Sequence, residues 1–296
     1  MNFKSCNDFS KNSSWKNSSN RPQQATNKFS GGAHGVARVI SKRGYCSRSK
    51  AEMLVREGRV TLNGRVIRDP ETPARENDEI IINGKRIEAN VKVYFMMNKP
   101  RGIVTTASDE KGRKTVMEVF AEQYRKLFPG KEPPHIAPVG RLDAASEGLL
   151  LFSNDTEWAN NILEPRSSSV QAKVESLKDK GPQNSSTTFN EHKKIYRVQT
   201  KGKPTADDLK KMEEGFNVPP RVFGEPEEFM HAKRAVLHSE GEKNSWLEIT
   251  LTEGKNREIR RMLDHLGYEV LRLVRIQIDS FTLGDLKPGC IKEFKI

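Results

Sequence analysis

Apolar positions along the 296-residue chain change their period several times, and each change predicts an element. Val36, Val39 and Ile40 recur at helical spacing up to Gly44. Ala51, Leu54 and Val55 do so again after a start capped by Ser47 or Ser49, and Gly58 ends that second helix. The period then shortens. Val60-Thr61-Leu62 and Val66-Ile67 flank Asn63-Gly64, whose dipeptide supplies the positive φ angles of a type I′ hairpin turn, and Ile80-Ile81-Ile82 precedes a second such turn at Asn83-Gly84. Two helices and a small sheet form a front module over 33–90. Beyond it Val93-Tyr94-Phe95-Met96-Met97 predicts a strand ending at Asn98-Lys99-Pro100, and Leu149-Leu150-Leu151-Phe152 a second, more apolar one. Ile195–Val198 and Leu247–Leu251 alternate as half-buried strands, and Ile259, Met262, Leu263 and Leu266 mark a helix ended by Gly267. These elements predict an α+β domain over 91–296 with a mixed, mostly antiparallel sheet.

Two stretches break the pattern. Residues 1–32 hold six Asn and seven Ser among scattered lysines, too little apolar surface to repay the entropy of ordering, so a disordered basic tail is expected. An organelle transit peptide is its competitor, disfavoured because the tail lacks an apolar helical face and Arg enrichment. Residues 166–193, with Ser167-Ser168-Ser169 and Asn184-Ser185-Ser186, read as a flexible polar insertion in the second domain.

Composition narrows the function. No apolar run reaches the roughly 18 residues needed to span a bilayer, and the first residues lack a secretory apolar stretch. Cys6, Cys46 and Cys290 stand far apart, as reduced thiols of a cytoplasmic protein would. Net charge is +12. Residues 1–32 and 33–90 each contribute +4, and between 38 and 68 nine basic residues face two acidic ones. That density suits a polyanion-binding face, against the alternative of a solvated helix surface.

Motif chemistry is sparse. No phosphate-cradling, dinucleotide, zinc-protease or nucleophile-elbow pattern occurs, and the six histidines are scattered. What remains is Asp143, in a loop before the apolar strand and beside Arg141, and the stretch from Gly254 through Lys255, Arg257, Arg260 and Arg261, read as a glycine turn opening a helix with a basic first turn. The combination predicts a buried carboxylate kept ionised by a guanidinium.

At this point the chain resembles the pseudouridine synthases of ribosomal RNA, in the branch with an N-terminal S4-type RNA-binding domain. The likeness covers about 36–165 and 194–296. It rests on Ser47–Glu52 and Gly58–Gly64 in front, then on Asn98–Gly102, Gly140–Asp143, Ser146–Leu151, Lys194–Tyr196, Glu253–Leu263, Leu273–Ile276 and Leu283–Gly289. The resemblance implies isomerisation of uridine to pseudouridine, without cofactor or metal, after the base is taken out of its stack. It implies Asp143 as catalytic carboxylate, Arg260 as its ionic partner, Tyr196 stacked on the flipped uracil, and Arg141 filling the gap left by the base. Arg38, Lys42, Arg48, Lys50, Arg59, Asn63, Lys99 and Arg257 are the other residues expected to bind RNA. The stretch 108–116 and the strand at Leu151-Phe152 resemble the large-subunit enzymes, so 23S rRNA, free or in an assembling subunit, is the expected partner of a monomer, with 16S rRNA as alternative. Two other readings compete: an S4 protein that only binds rRNA, and a glycosidase using Asp143 with Glu147, which leaves the basic module unexplained.

Overall fold

A computed structural model describes residues 33–88, 91–106, 109–163, 192–220 and 224–296. The expected 1–32 tail and nearly all of the 166–193 insertion lie outside these residues.

The front module opens with β1 (His34–Gly35), α1 (Val36–Lys42) and α2 (Arg48–Arg56). Of the two candidate caps it is Ser47 whose side chain accepts from the Lys50 amide, satisfying one of the amides that a helix start leaves free. The strands β2 (Val60–Leu62), β3 (Arg65–Ile67), β4 (Pro73–Ala74), β5 (Ile80–Ile82) and β6 (Lys85–Arg86) follow. Both Asn-Gly pairs have positive φ at each residue, as a type I′ turn requires. They close two hairpins that pair through β2 and β5, giving the sheet order β3-β2-β5-β6, while β1 pairs with β4. Val39, Ile40, Leu54, Val55, Val60, Ile80 and Ile82 fill one closed core between the helices and this sheet.

The second domain contributes β7 (Tyr94–Lys99), α3 (Val116–Leu127), β8 (Ala137–Val139), β9 (Glu147–Ser153), α4 (Thr156–Leu163), β10 (Lys194–Lys201) and α5 (Ala206–Glu214). After these come β11 (Phe216–Val218), β12 (Glu228–Met230), β13 (Arg234–Glu240), β14 (Asn244–Leu251), α6 (Glu258–His265), β15 (Val270–Ile278), β16 (Phe281–Thr282) and β17 (Ile291–Phe294). One sheet runs β13-β14-β10-β15-β9-β7-β17, with β8 against β9 and β16 against β15. Every pairing within it is antiparallel except β15 with β9, where Val274 and Arg275 lie opposite Glu147 and Gly148. The fold is α+β with a mostly antiparallel sheet.

Strand β9 shows why its sequence does not alternate. Leu150 and Phe152 point into the main core, where Phe152 meets Phe120 of α3. Leu149 and Leu151 point the other way, into a cluster that also packs Trp158 and Ile162 of α4. Both faces are covered, so both must be apolar. The short parallel seam between β9 and β15 joins the two antiparallel halves of the sheet, and the loop carrying Asp143 enters β9 at that seam.

Candidate active site

Asp143 lies four residues before β9, in a loop fastened at both ends. The Ser146 amide donates to the Asp143 carbonyl and the Gly102 amide to the Ala144 carbonyl. On the other side of the seam, Tyr196 of β10 stands opposite Arg275 of β15, with its ring buried. Helix α6 begins beyond a turn at Lys255–Arg257, and Arg257 at its N-cap holds the left-handed φ of 52°. Lys255 and Arg257 thus precede the helix, and its first turn carries Glu258 beside the expected basic Arg260 and Arg261. Arg141, Asp143, Tyr196, Arg257 and Arg260, drawn from three separated stretches of chain, line one cavity of about 450 Å³.

The electrostatics differ from expectation in two respects. The Asp143 side chain is 40% exposed, not buried, and reachable from water. Its ion pair is to Arg257, Nη1 to Oδ2 at 4.0 Å. Arg260, expected to make that pair, donates to the carbonyls of Ala145 at 3.1 Å and Val270 at 3.2 Å. The half-buried Arg260 guanidinium therefore braces the Asp143 loop against β15, close enough for the Asp143 charge to act on it. Two arginines divide the work that one was expected to do.

Lys99 is a clear correction. It was expected to meet RNA, yet it is fully buried and its Nζ donates to the carbonyls of Ser146 at 2.8 Å and Pro100 at 3.1 Å. It ties the end of β7 to the far end of the Asp143 loop and cannot reach a phosphate. Burial pushes its ammonium down from 10.5 to about 8, against the pull of the Asp143 and Glu147 charges. Between those two values the unfolded chain still holds the proton that the folded chain has released, so the Lys99 contribution to stability rises with pH across that window. Lys99→Met is expected to cost about 1–3 kcal/mol by leaving two inward carbonyls without a donor. Urea melts between pH 7 and 10.5 check it: the variant should lack the wild-type rise.

Asn63 is exposed and has a structural role as well: its amide nitrogen donates to Asp78 at 3.1 Å and its oxygen accepts from the Glu79 amide at 3.0 Å, so it staples the two hairpins together. Arg43, counted among the basic residues of this module, faces inward like Lys99, donating to the carbonyls of Glu76, Asp78 and Ile87. The remaining front residues are available. Arg38 and Lys50 are exposed with no carboxylate partner among the described residues. Lys42, Arg48 and Arg59 hold exposed ion pairs to Glu76, to Glu52 and Glu71, and to Glu57, contacts weak enough in water for a phosphate to replace.

Sequence reasoning missed three charged residues on the cavity wall: Lys194, Glu258 and Arg275. Lys194 is partly withdrawn from water, which lowers its pKa, and Arg275 is nearly fully buried, with Nε donating to the Leu149 carbonyl at 2.8 Å. All three lay within the stretches that carry the family resemblance, Glu258 directly before Ile259 on the apolar face of α6.

Comparison with known proteins agrees with this geometry. The model of the RNA pseudouridylate synthase family matches residues 93–265, and that of the S4 domain residues 36–80. Ribosomal large subunit pseudouridine synthase B of Bacillus subtilis (strain 168) is 33% identical over 87% of this chain and 91% of its own length. An uncharacterized RNA pseudouridine synthase of Aquifex aeolicus (strain VF5) is 34% identical over 87% and 89%. A crystal structure of a pseudouridylate synthase, 23% identical, superposes with a TM-score of 0.52 over 90% of this chain and 96% of its own, a likeness of fold.

Proposed function

The chain belongs to the RNA pseudouridylate synthase family, and from that premise we propose that it converts uridine to pseudouridine at a site in large-subunit ribosomal RNA, with Asp143 as the catalytic carboxylate. The observation that carries this reading is the convergence of Asp143, Tyr196 and Arg260 on one cavity of about 450 Å³, within the usual range for enclosing a small organic group. Large-subunit RNA is the favoured substrate because the Bacillus relative is named for it.

The reaction breaks the N1–C1′ bond of uridine, turns the base within the cavity, forms a C5–C1′ bond, and exchanges the C5 proton for one at N1. Nothing is oxidised or reduced. Asp143, reachable from the cavity, serves the carboxylate step, Arg257 lies beside it, and Arg260 holds its loop. The part of Tyr196 that lines the cavity offers a stacking surface for an extruded uracil. Exposed Arg141 stands at the rim, where a planar cation can occupy the space the base vacates. The front module, over 33–90, grips phosphates through Arg38, Lys42, Arg48, Lys50 and Arg59, positioning the RNA without reading its sequence. Residues 91–296 carry the chemistry within a single chain. No helix of the described residues is long and apolar enough to cross a membrane, and we place the enzyme with its RNA in the cytoplasm.

Release of tritium from RNA labelled at uridine C5 tests the activity. Release from large-subunit RNA and none from small-subunit RNA is the expected result; no release from either would leave an RNA-binding protein. For the grip, Arg48→Ala is expected to weaken RNA binding and reduce the slope of log affinity against log salt by about 0.7–0.9, one phosphate contact. An unchanged slope in filter binding would remove Arg48 from the interface.

A further inference from the structure

Glu258 is 2% exposed on the wall of the cavity. Its Oε2 accepts from the Lys255 amide at 3.1 Å, closing the turn that precedes α6, while its Oε1 is buried with no hydrogen-bond partner among the described residues. The Glu253 carboxylate, bound by the same lysine, is the neighbouring charge that acts on it. Glu253 in turn accepts from Lys255 Nζ at 2.7 Å, and the same ammonium donates to the Phe229 carbonyl at 2.7 Å. Two neighbouring carboxylates, one of them buried, repel one another; one proton between them converts the repulsion into a hydrogen bond and supplies the donor that Oε1 lacks. Arg257 sits inside the segment these contacts fasten, in a left-handed conformation that a non-glycine residue does not hold unaided.

We propose that Glu253 and Glu258 share one proton and that this link fixes the 253–258 segment so that Arg257 remains at Asp143, making Glu258 a positioning residue of the active site. The inference rests on the reading of Asp143 given above. Several charges bear on the pair: Lys255 from the same segment, Lys194 from β10, and His231, which follows β12 and lies 3.6 Å from Glu253. Arg275 of β15 and Asp279 act on it by way of Lys194. The proton resides on Glu258: burial first, then the charge of Glu253 and the hydrogen bond with it, raise the Glu258 carboxyl to about 7. Although burial raises Glu253 too, the hydrogen bonds from Lys255 and Glu258 bring it below the ordinary value. Since the folded chain holds this proton more tightly than the unfolded one, stability falls as pH rises from about 4.5 to 7 and is level above. The turn loses its link as pH passes through about 7.

Two measurements on the full chain test the link. In the first, ¹³C NMR follows the glutamate carboxyl carbons through pH. One resonance is expected to titrate near 7, to vanish in Glu258→Gln, and to titrate at lower pH in Glu253→Gln, which removes the facing charge. This readout needs no activity, so it tests the shared proton even if the isomerase reading fails. In the second, kcat/KM for tritium release is measured against pH. The wild type is expected to decline from near 7. Glu258→Gln, whose amide donates at every pH, should retain activity at pH 6.5 within about threefold and decline no earlier than Lys99 loses its charge at about 8. Glu258→Ala, which offers no donor, should be impaired at every pH. Absence of any glutamate titrating above pH 6 overturns the shared proton. A Glu258→Gln profile with the wild-type midpoint overturns its role in positioning Arg257.

Discussion

Asp143→Asn is expected to reduce tritium release from uridine-labelled rRNA by about 10³-fold or more, while the melting behaviour and the affinity for RNA stay close to wild type. The amide matches the carboxylate in shape and lacks its charge, so every route open to Asp143 closes: it can neither attack the base at C6 or the sugar at C1′ nor accept a proton from the sugar. Stability is spared because the side chain is 40% exposed and its ion pair to Arg257 is a long 4.0 Å contact, the kind worth little in water. The loop is held by groups other than this side chain, since Arg260 grips the Ala145 carbonyl and Lys99 the Ser146 carbonyl. Binding is spared because the variant removes a negative charge from the rim of a cavity that receives a polyanion. Rate constants under saturating RNA, beside filter binding of the same two proteins, separate the effects. Undiminished turnover in Asp143→Asn would take this carboxylate out of the chemistry and with it the proposed mechanism.

How far the sequence carried this site depended on whether a residue's function was written in its type or in its neighbours. The hairpins were legible because Asn-Gly has few other uses between β-rich runs, and both turns carry the expected positive φ. Strand β9 was legible from its unbroken apolar run. Helices α3 and α5 carry their signal only locally, in the capping boxes at Thr115–Glu118 and Thr205–Asp208. Strand adjacency was not legible, since pairing of β9 with β15 joins residues more than a hundred positions apart. Polar residues misled most. Lys99, Asn63 and Arg43 belong to types usually found on the surface, and type alone suggested RNA. In the fold Lys99 and Arg43 face inward, and all three satisfy backbone or side-chain groups that would otherwise be orphaned. The division of labour between Arg257 and Arg260 was hidden for a related reason. A left-handed residue at the N-cap turns Arg257 toward Asp143, and no spacing rule for a regular helix anticipates that turn.

The seam also sets the second large effect. Gly148→Ala is expected to destabilise the protein by about 3 kcal/mol or more, enough to leave much of it insoluble or unfolded at moderate urea concentration. Gly148 has a φ of +104°, and a methyl group there would overlap the Arg275 backbone, its carbonyl oxygen first and its nitrogen at 2.7 Å. Neither atom can give way. Arg275 is paired with Gly148 across the parallel join and with Tyr196 on its other side, so moving it would displace the tyrosine and the loop of Asp143 together. The flanking contacts cannot absorb the shift either, because Glu147 holds Arg272 across the same seam at 2.8 Å. Gly112→Ala is the matched control. With a φ of +67° and open space around it, it should cost only the backbone term of about 1–2 kcal/mol. Urea midpoints of the two variants measure the difference. If they lost equal stability, the close approach at the seam would contribute nothing beyond φ, and the precise placing of Tyr196 against Asp143 would need another cause.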